Sequence, residues 1–278
     1  MEYFKHYLSM IGDIELETLI NIVYEYYGFD FGGYSKASLK RRVNRIYQLD
    51  GFNYFHEFLS KVRFDSDYYK RMVEEITVNV TEMFRDPQLY ATLRREIFPI
   101  LATNPFIRIW HAGCSTGEEV YSLAVMLKEE NLLHKTLIYA TDINDNVLNT
   151  AKKGVFPLRM MKQYSENYLA SEGKKDFSEY YSANYGIAKF NEELSDRMVF
   201  SQHNLVSDSS FNEFDLILCR NVLIYFDKDL QERALQLFDD SLPKSGFLVL
   251  GAKETIKYSK LQNRYSQFEK EKIWRKMK

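Results

Sequence analysis

The chain has few cysteines, no long apolar run and almost no net charge, and each deficit excludes a class of protein. Its two cysteines in 278 residues cannot form a disulfide framework, which favours a reducing compartment. No apolar run approaches the roughly 18 residues that span a bilayer, and the acidic, aromatic N-terminus does not resemble a signal peptide. A net charge of −2 gives no overall case for binding nucleic acid. We expect a cytoplasmic protein without a membrane segment, a nucleic-acid partner or a metal site.

In the N-terminal third of the chain the apolar residues recur at helical spacing, and no convincing strand is present. The first predicted helix starts at Asp13, and Ser35 is the predicted cap of the second. Two more helices follow, and Asp86 before Pro87 predicts the N-terminus of a fifth. We therefore predict an all-α helical domain over residues 1–90.

The second predicted helix is strongly basic on its polar faces. Its five cations are Lys36, Lys40, Arg41, Arg42 and Arg45. A charged run on an amphipathic helix is usually a solvated face, but it can also be a docking surface that attracts an acidic partner. From the residues alone, both interpretations are open.

The remainder of the chain alternates apolar strands with helices. Strands are predicted at 107–111, 137–142, 198–203, 214–219 and 246–251, and helices at about 117–130, 144–153 and 228–241. This order predicts an α/β domain with a doubly wound parallel sheet over residues 91–278. Residues 158–197 are too long for a plain connection, so we expect a small inserted subdomain before the third strand. The segment around Trp274 is a candidate closing strand.

The loop Gly113-Cys114-Ser115-Thr116-Gly117 lies between the first of these strands and its helix. A strand, a glycine loop and a helix N-terminus hold nucleotide-like ligands in open α/β sheets, although the same pattern also occurs in ordinary turns. The loop lacks the Gly-Lys-Ser/Thr of a phosphate cradle, and Glu118 and Glu119 would repel an anion. It therefore suits a ligand with hydroxyl groups and a positive centre.

Polar residues also follow later strands of the predicted sheet. Asp142 can accept hydrogen bonds from both hydroxyls of a ribose, or it can cap the next helix, a role for which Asn144 is also available. Asn204-Leu205 suits the edge and the face of an adenine. Arg220-Asn221 would be a poor choice for a core, which favours a functional role.

Four motifs together resemble the chemotaxis receptor methyltransferases of the CheR family, and the resemblance covers nearly the whole chain. They are Asn-Val-Thr-Glu-Met-Phe-Arg-Asp at 79–86, Ala-Gly-Cys-Ser-Thr-Gly-Glu-Glu at 112–119, Ala-Thr-Asp-Ile at 140–143 and Cys-Arg-Asn-Val-Leu-Ile-Tyr-Phe at 219–226. The combination is highly specific. The resemblance implies a class I methyltransferase that uses S-adenosylmethionine, releases S-adenosylhomocysteine and methylates glutamate side chains of chemoreceptor cytoplasmic domains for sensory adaptation.

The resemblance also implies roles for individual residues by motif position. The implied cofactor contacts are Asn79, Thr81, Arg85, Gly113, Glu118, Asp142, Asn204, Leu205, Arg220 and Asn221. Arg85 and Tyr225 are implied to lie nearest the transferred methyl group. From the residues alone, the contacts in the 79–86 motif could equally form hydrogen bonds between domains. The family's basic second helix faces the receptor, which favours the docking interpretation for Lys36 to Arg45.

Two departures from the family pattern limit these implications. Some members bind a pentapeptide at the receptor's C-terminus through a glycine-rich loop of the inserted subdomain, but residues 158–197 contain only Gly173 and Gly186. We therefore expect an enzyme that does not depend on such a tether, and a monomer. Lys253 stands where the family usually has a small polar residue. The alternative functions are a non-catalytic cofactor-binding adaptor of receptor arrays and a methyltransferase that acts on a small molecule.

Overall fold

The structure, a computed structural model, describes residues 10–77, 81–268 and 271–277, which form two compact units. The first contains the described residues up to 77 together with Tyr225–Leu230, and the second contains the other described residues. Each unit has its own apolar core. Among the described residues, no helix is both long and apolar enough to cross a membrane, and no group of histidine, cysteine and acidic side chains could hold a metal ion.

In the described residues of the first unit, four helices pack with their apolar faces together. They are α1 (Asp13–Tyr27), α2 (Lys36–Leu49), α3 (Phe55–Phe64) and α4 (Ser66–Ile76). Val23, Val43 and Phe58 are fully buried between them, as expected when each helix has one apolar face. No strand occurs in residues 10–77. The predicted all-α fold of this region is confirmed, including the start of α1 at Asp13.

The described residues of the second unit form an α/β domain with ten strands. They are β1 (Ile107–Ala112), β2 (Thr136–Asp142), β3 (Val155–Pro157), β4 (Tyr181–Asn184), β5 (Ile187–Phe190), β6 (Met198–Gln202), β7 (Leu216–Cys219), β8 (Phe247–Leu250), β9 (Tyr265–Phe268) and β10 (Ile273–Lys276). Seven of them form the central sheet in the order β6-β2-β1-β7-β8-β10-β9. The first five strands of that order are parallel, whereas β10 pairs antiparallel with both β8 and β9. The predicted doubly wound sheet is confirmed, and β10 contains Trp274 of the candidate closing strand.

Helices accompany the strands of the second unit. They are α5 (Pro87–Thr92), α6 (Phe98–Leu101), α7 (Glu118–Glu129), α8 (Asp145–Lys153), α9 (Met161–Ala170), α10 (Glu192–Ser195) and α11 (Lys228–Asp240). A π-helical turn over Leu93–Ile97 joins α5 to α6. Every residue of β7 and β8 is buried, which explains why these strands are apolar without alternation.

Two residues predicted as helix caps do not cap in the structure. Ser35 precedes α2 without a side-chain capping hydrogen bond, and its backbone amide instead donates to the carbonyl of Tyr225 at 2.9 Å within the first unit. Asp86 precedes α5 with a left-handed φ of 58°, and its side chain makes no capping bond either. Its carboxylate pairs with Arg220, which lies 134 positions further along the chain. In both cases tertiary contacts replaced the local ones that the sequence pattern suggests.

The insertion is a small antiparallel sheet of order β3-β5-β4 with α9 beside it. The sequence analysis did not predict α9, because the insertion is polar in composition. The buried side of this helix includes the aromatic residues Tyr164 and Tyr168. Glu129, at the end of α7, accepts hydrogen bonds from the hydroxyls of Tyr168 and Tyr180 and pairs with Arg94 at 2.8 Å. The insertion is thereby fixed to the domain that carries the central sheet.

Candidate active site

The centre of the sheet is a topological switch point. β1 pairs with β2 on one side and with β7 on the other, so the winding direction of the chain reverses beside β1. In open α/β sheets ligands bind outside the carboxyl ends of the strands at such a point. Gly113 follows β1, Asp142 ends β2 and Arg220 follows β7. The fold therefore brings three of the sequence motifs to one edge.

Gly113 is required where the first loop meets the segment after β7. Its φ is +76°, and a Cβ there would lie 2.4 Å from Cγ2 of Val222, which is far inside contact distance. Any side chain at this position would push the two loops apart. Glycine therefore sets the close approach between the 112–119 motif and the 219–226 motif.

Asp142 ties the first loop to the end of β2. Its two carboxylate oxygens accept hydrogen bonds from the backbone amides of Ser115, at 2.9 Å, and Asn144, at 3.0 Å. Asn144, not Asp142, caps α8 by accepting from the amide of Asn146 at 2.9 Å. Burial raises the pKa of the Asp142 carboxyl, although the backbone donors oppose the shift. Each oxygen retains a further lone pair, which leaves the predicted ribose contact chemically available.

Glu118 is a buried acid at the first turn of α7. Its exposure is 7%, and Oε2 accepts a hydrogen bond from the Thr116 hydroxyl at 2.6 Å. Burial raises the pKa of this carboxyl to about 7, because it outweighs the opposing effect of Thr116. A cation bound beside Glu118 would favour its ionised form. The position thus matches the predicted ligand with a positive centre.

Glu119, to which the sequence assigns no role, is the hub of a buried polar network. One carboxylate oxygen lies 3.2 Å from Nε2 of His111, and the other accepts from the guanidinium of Arg220. Arg220 also donates to Asp86, and its side chain is only 1% exposed. Burial raises the pKa of the Glu119 carboxyl, but the charge of Arg220 and the His111 contact outweigh burial and hold the pKa below its ordinary value.

This network changes the role expected of Arg220. Both terminal nitrogens of its guanidinium are occupied by carboxylates within the protein. What Arg220 does in the structure is hold the first turn of α7 and the loop before α5 against the end of β7. The direct cofactor contact implied for Arg220 stays a prediction. No pattern of neighbouring residues reveals the network, because its members come from four separate places in the chain.

Asn221 and Tyr225 lie in the segment that follows Arg220. Asn221 has a left-handed φ of +60°, and its side-chain oxygen is buried without a hydrogen-bond partner among the described residues. Tyr225 ends a 3₁₀ turn over Leu223–Tyr225 and is half-buried. In the first unit, the guanidinium carbon of Arg42 lies 4.8 Å from the centre of the Tyr225 ring. Asn221 thus has an unused acceptor, and the Tyr225 ring is held by a cation on one face.

The described part of the 79–86 motif, residues 81–86, forms a loop that two side chains of the same unit hold in place. The amide of Phe84 donates to the Ser122 hydroxyl at 3.0 Å, and the side-chain amide of Asn167 donates to the Met83 carbonyl at 2.9 Å. Thr81 and Arg85 are half-buried, and within residues 81–268 Arg85 has no hydrogen-bonded or ion-paired partner. Asn79 lies outside the described residues.

Asn204 and Leu205 follow β6, as predicted. The side-chain oxygen of Asn204 accepts from the amide of Val206 at 2.9 Å, which shapes the turn. Leu205 is 7% exposed. The adenine contacts implied for this pair stay predictions, since the acceptor of Asn204 already serves the turn.

Comparison with known proteins decides the family. The model of the CheR methyltransferase all-alpha domain matches residues 14–77, and the model of the CheR methyltransferase SAM-binding domain matches residues 79–273. The chain belongs to the CheR methyltransferase family. It is therefore a methyltransferase that uses S-adenosylmethionine, as the sequence motifs led us to expect.

Relatives of this CheR-family chain match both of its units. A protein named Cher3 from Pseudomonas putida is 46% identical over 266 residues, which cover 95% of this chain and 97% of that protein. Chemotaxis protein methyltransferase 2 from Pseudomonas aeruginosa is 34% identical over 80% of each chain. The chemotaxis protein methyltransferase of Borreliella burgdorferi is 31% identical over 88% of this chain and 89% of that one.

The residues at the carboxyl edge of this CheR-family domain fit S-adenosylmethionine. Three buried polar atoms there have no hydrogen-bond partner among the described residues: Oγ of Ser115, Nδ2 of Asn144 and Oδ1 of Asn221. Buried polar groups are normally satisfied, so these atoms are available to a polar ligand. Glu118 adds a carboxylate for a positive group, and no cationic phosphate cradle competes with it.

The basic helix α2 divides into paired and unpaired cations. Lys36 pairs with Glu17 at 2.5 Å, Lys40 pairs with Asp13 at 2.7 Å, and Arg42 donates to the carbonyl of Ile76 at 2.8 Å. Arg41 and Arg45 are exposed, and neither has an ion-pair partner within the described parts of the chain. If α2 docks a partner, these two arginines are the cations available to it.

Proposed function

We propose that this methyltransferase acts on glutamate side chains of chemoreceptor cytoplasmic domains and forms glutamate methyl esters, which adjust receptor signalling during sensory adaptation. Relatives that match both units are named chemotaxis protein methyltransferases, which supports this substrate class. The observation that carries the proposal is the coexistence of a cofactor edge suited to a cation with the half-buried Arg85 in the adjoining motif loop, which has no hydrogen-bonded or ion-paired partner among the described residues. Arg85 can hold an anionic acceptor there.

The chemistry needs little from the enzyme beyond alignment. S-adenosylmethionine supplies a methyl group on a positively charged sulfur. A glutamate side chain has a reference pKa of about 4.3, so it is already an ionised nucleophile at neutral pH and no general base is required. Holding the carboxylate oxygen in line with the methyl carbon can supply several kcal/mol of the acceleration.

Two residues of the chain are proposed to align the acceptor. The guanidinium of Arg85 can bind the target carboxylate through two parallel hydrogen bonds, a geometry that also fits the cofactor's own carboxylate. The Tyr225 hydroxyl can donate a hydrogen bond to the target oxygen and so fix its orientation. Asp142, Asn221 and Glu118 are proposed to hold the ribose and the charged end of the cofactor.

Recognition of the receptor is proposed to use helix α2. The glutamates to be methylated are anionic, and Arg41 and Arg45, which are exposed and have no ion-pair partner among the described residues, offer positive charge to them. Electrostatic complementarity of this sort speeds encounter and fixes register more than it tightens binding. We further propose that the enzyme acts as a monomer in the cytoplasm.

The inserted subdomain supports an enzyme that does not need a receptor tether. Gly173 packs so closely on the Tyr168 ring that a Cβ would lie 2.2 Å from it, and Gly186 forms the turn between β4 and β5 with a φ of +79°. Both glycines are therefore explained by local structure, and the described insertion contains no glycine-rich loop.

Transfer of a labelled methyl group to purified receptor fragments tests the proposal. The expected result is incorporation that base treatment releases as methanol, as a methyl ester requires. Fragments with and without the C-terminal pentapeptide should be methylated at similar rates. Binding of cofactor without transfer would favour the adaptor alternative, and base-stable label on low-molecular-weight material would favour a small-molecule substrate.

A further inference from the structure

Glu254 is a buried acid in the loop after β8, outside the predicted site. Its exposure is 4%, and no cation pairs with it in the parts of the chain that the structure describes. Its carboxylate is instead surrounded by backbone amides. Oε2 accepts from the amides of Gly251, at 2.6 Å, and Asn221, at 3.0 Å, and Oε1 accepts from the amide of Ile224 at 3.3 Å. A buried carboxylate without a counter-charge is retained only when such donors satisfy it.

The donors belong to the segment that carries the proposed chemistry. Asn221 begins this segment with its left-handed backbone, and Ile224 immediately precedes Tyr225. A left-handed backbone conformation is strained for a residue other than glycine, so it persists when the surroundings hold it. Among the described contacts of the Asn221 amide, the Glu254 carboxylate is the one that does so.

The loop after β8 is shaped to bring the carboxylate to this position. A Cβ on Gly251 would lie 2.7 Å from Oε2 of Glu254 and 2.8 Å from the amide nitrogen of Asn221. Glycine is therefore required for the carboxylate to bridge the ends of β7 and β8. Lys253, one residue before Glu254, is exposed, and nothing in the structure explains its presence.

We propose that Glu254 is a positioning residue for methyl transfer: its carboxylate fixes the backbone from Asn221 to Ile224 and so sets the orientation of the Asn221 side chain. This rests on the proposed function only for the role of Asn221 in holding the cofactor. Burial raises the pKa of the Glu254 carboxyl despite the opposing backbone donors. Protonation on acidification removes an acceptor, so the hold on the segment weakens as the pH falls.

The test compares Glu254→Gln with Asp239→Asn. Glutamine has nearly the same shape as glutamate, but its NH2 group replaces one of the two oxygens. This group is itself a donor and cannot accept a hydrogen bond from the backbone amides. Asp239 is a matched control because it is 1% exposed and binds Tyr265, Arg264 and Lys276 away from the proposed site. Glu254→Gln should lower kcat at least about tenfold, with KM for a receptor fragment changed less than about twofold. Hydrogen exchange at the amides of Asn221 and Ile224 should accelerate in Glu254→Gln and stay unchanged in Asp239→Asn.

Two results would overturn the proposal. One is a kcat of Glu254→Gln within twofold of the wild type, and the other is an equal loss of kcat in both variants alongside an equal loss of Tm. Failure of the proposed function is distinguishable, because the wild type would then transfer no methyl group to receptor fragments. Weakened S-adenosylmethionine binding by Glu254→Gln in calorimetry, with accelerated exchange, would still support positioning of Asn221.

Discussion

One ion pair from each unit shows two opposite uses of charged side chains. In the helical unit the pair Lys36–Glu17 is open to solvent, with side-chain exposures of 69% and 46%. In the sheet unit the pair Arg220–Glu119 is 1% and 6% exposed and is tied to Asp86 and His111. Exposed pairs add little stability, whereas breaking a buried pair leaves an uncompensated charge away from water. The charges of the Lys36–Glu17 pair are therefore replaceable, whereas those of the Arg220–Glu119 network are structural.

Removal of Arg220 gives the largest expected effect. Arg220→Met leaves Glu119 buried without its cation, so the free energy of unfolding should fall by about 3–5 kcal/mol. Urea denaturation followed by circular dichroism measures this, with Lys36→Met as the solvent-exposed counterpart that should unfold like the wild type. The double variant Arg220→Met/Glu119→Gln should recover part of the loss. Equal stability of the two single variants would abolish the contrast between the units.

Asp142 tests whether a partly buried carboxylate in the sheet unit serves a ligand as well as the fold. Asp142→Ala should weaken S-adenosylmethionine binding about a hundredfold, because two hydrogen bonds to a charged acceptor are lost. Isothermal titration calorimetry measures the affinity. Asp145→Ala, an exposed acid in the first turn of α8, is the control and should bind normally. Unchanged affinity of Asp142→Ala would remove the ribose assignment.

Tyr225 bears on the comparison between the two units because it follows strand β7 of the sheet unit in sequence but packs within the helical unit. Tyr225→Phe keeps the ring beside Arg42 and removes only the hydroxyl. Turnover should fall about tenfold, the value of one hydrogen bond in the transition state, while cofactor affinity is largely spared. Equal losses of turnover and affinity would indicate a structural role. Steady-state kinetics and calorimetry on the same preparation separate the two.

Glu118 makes the charge of the sheet unit dependent on pH. Its pKa is raised by burial to about 7, above the ordinary value of 4.5, so in the absence of ligand the folded state binds a proton that the unfolded chain releases. Its contribution to stability is therefore greatest below pH 4.5 and is lost as the pH rises toward 7. Cofactor affinity should change oppositely, rising about tenfold from pH 6 to pH 8 as the carboxylate forms. Calorimetry across this range should show a much flatter profile for Glu118→Gln.

The unpaired arginines of α2 give the smallest expected effect. Reversing charge at Arg41 and Arg45 should slow methylation of receptor fragments a few-fold at low salt and less at high salt, because exposed charges are screened. Reversing Lys36 and Lys40, which are already paired, is the control and should have a smaller effect. If all variants methylate at equal rates that do not depend on salt, the polar face of α2 is a solvated surface and not a docking surface.

The structure also shows where sequence patterns are informative. Strands such as β7 are buried along their whole length and therefore appear as apolar runs that can be recognised without any other information. The helix α9 escaped recognition because its buried side is made of tyrosines, which also suit surfaces and strands. Ser35 and Asp86 have the residue type and position of helix caps, but both bind partners that are distant in sequence. The backbone amide of Ser35 donates to the Tyr225 carbonyl, and the carboxylate of Asp86 accepts from Arg220. Local propensity failed where a tertiary contact was stronger.

The sequence by itself determined the family, the chain order of the five parallel strands of the central sheet, and the motifs at the carboxyl edge of that sheet. These depend on local residue spacing and on apolar runs. Only the tertiary structure decided that Glu119 pairs with Arg220 across 101 positions and that Glu254 binds the amide of Asn221 across 33. The physical reason is that a buried carboxylate must find donors wherever the sheet order brings them, and no local pattern of the chain records that order.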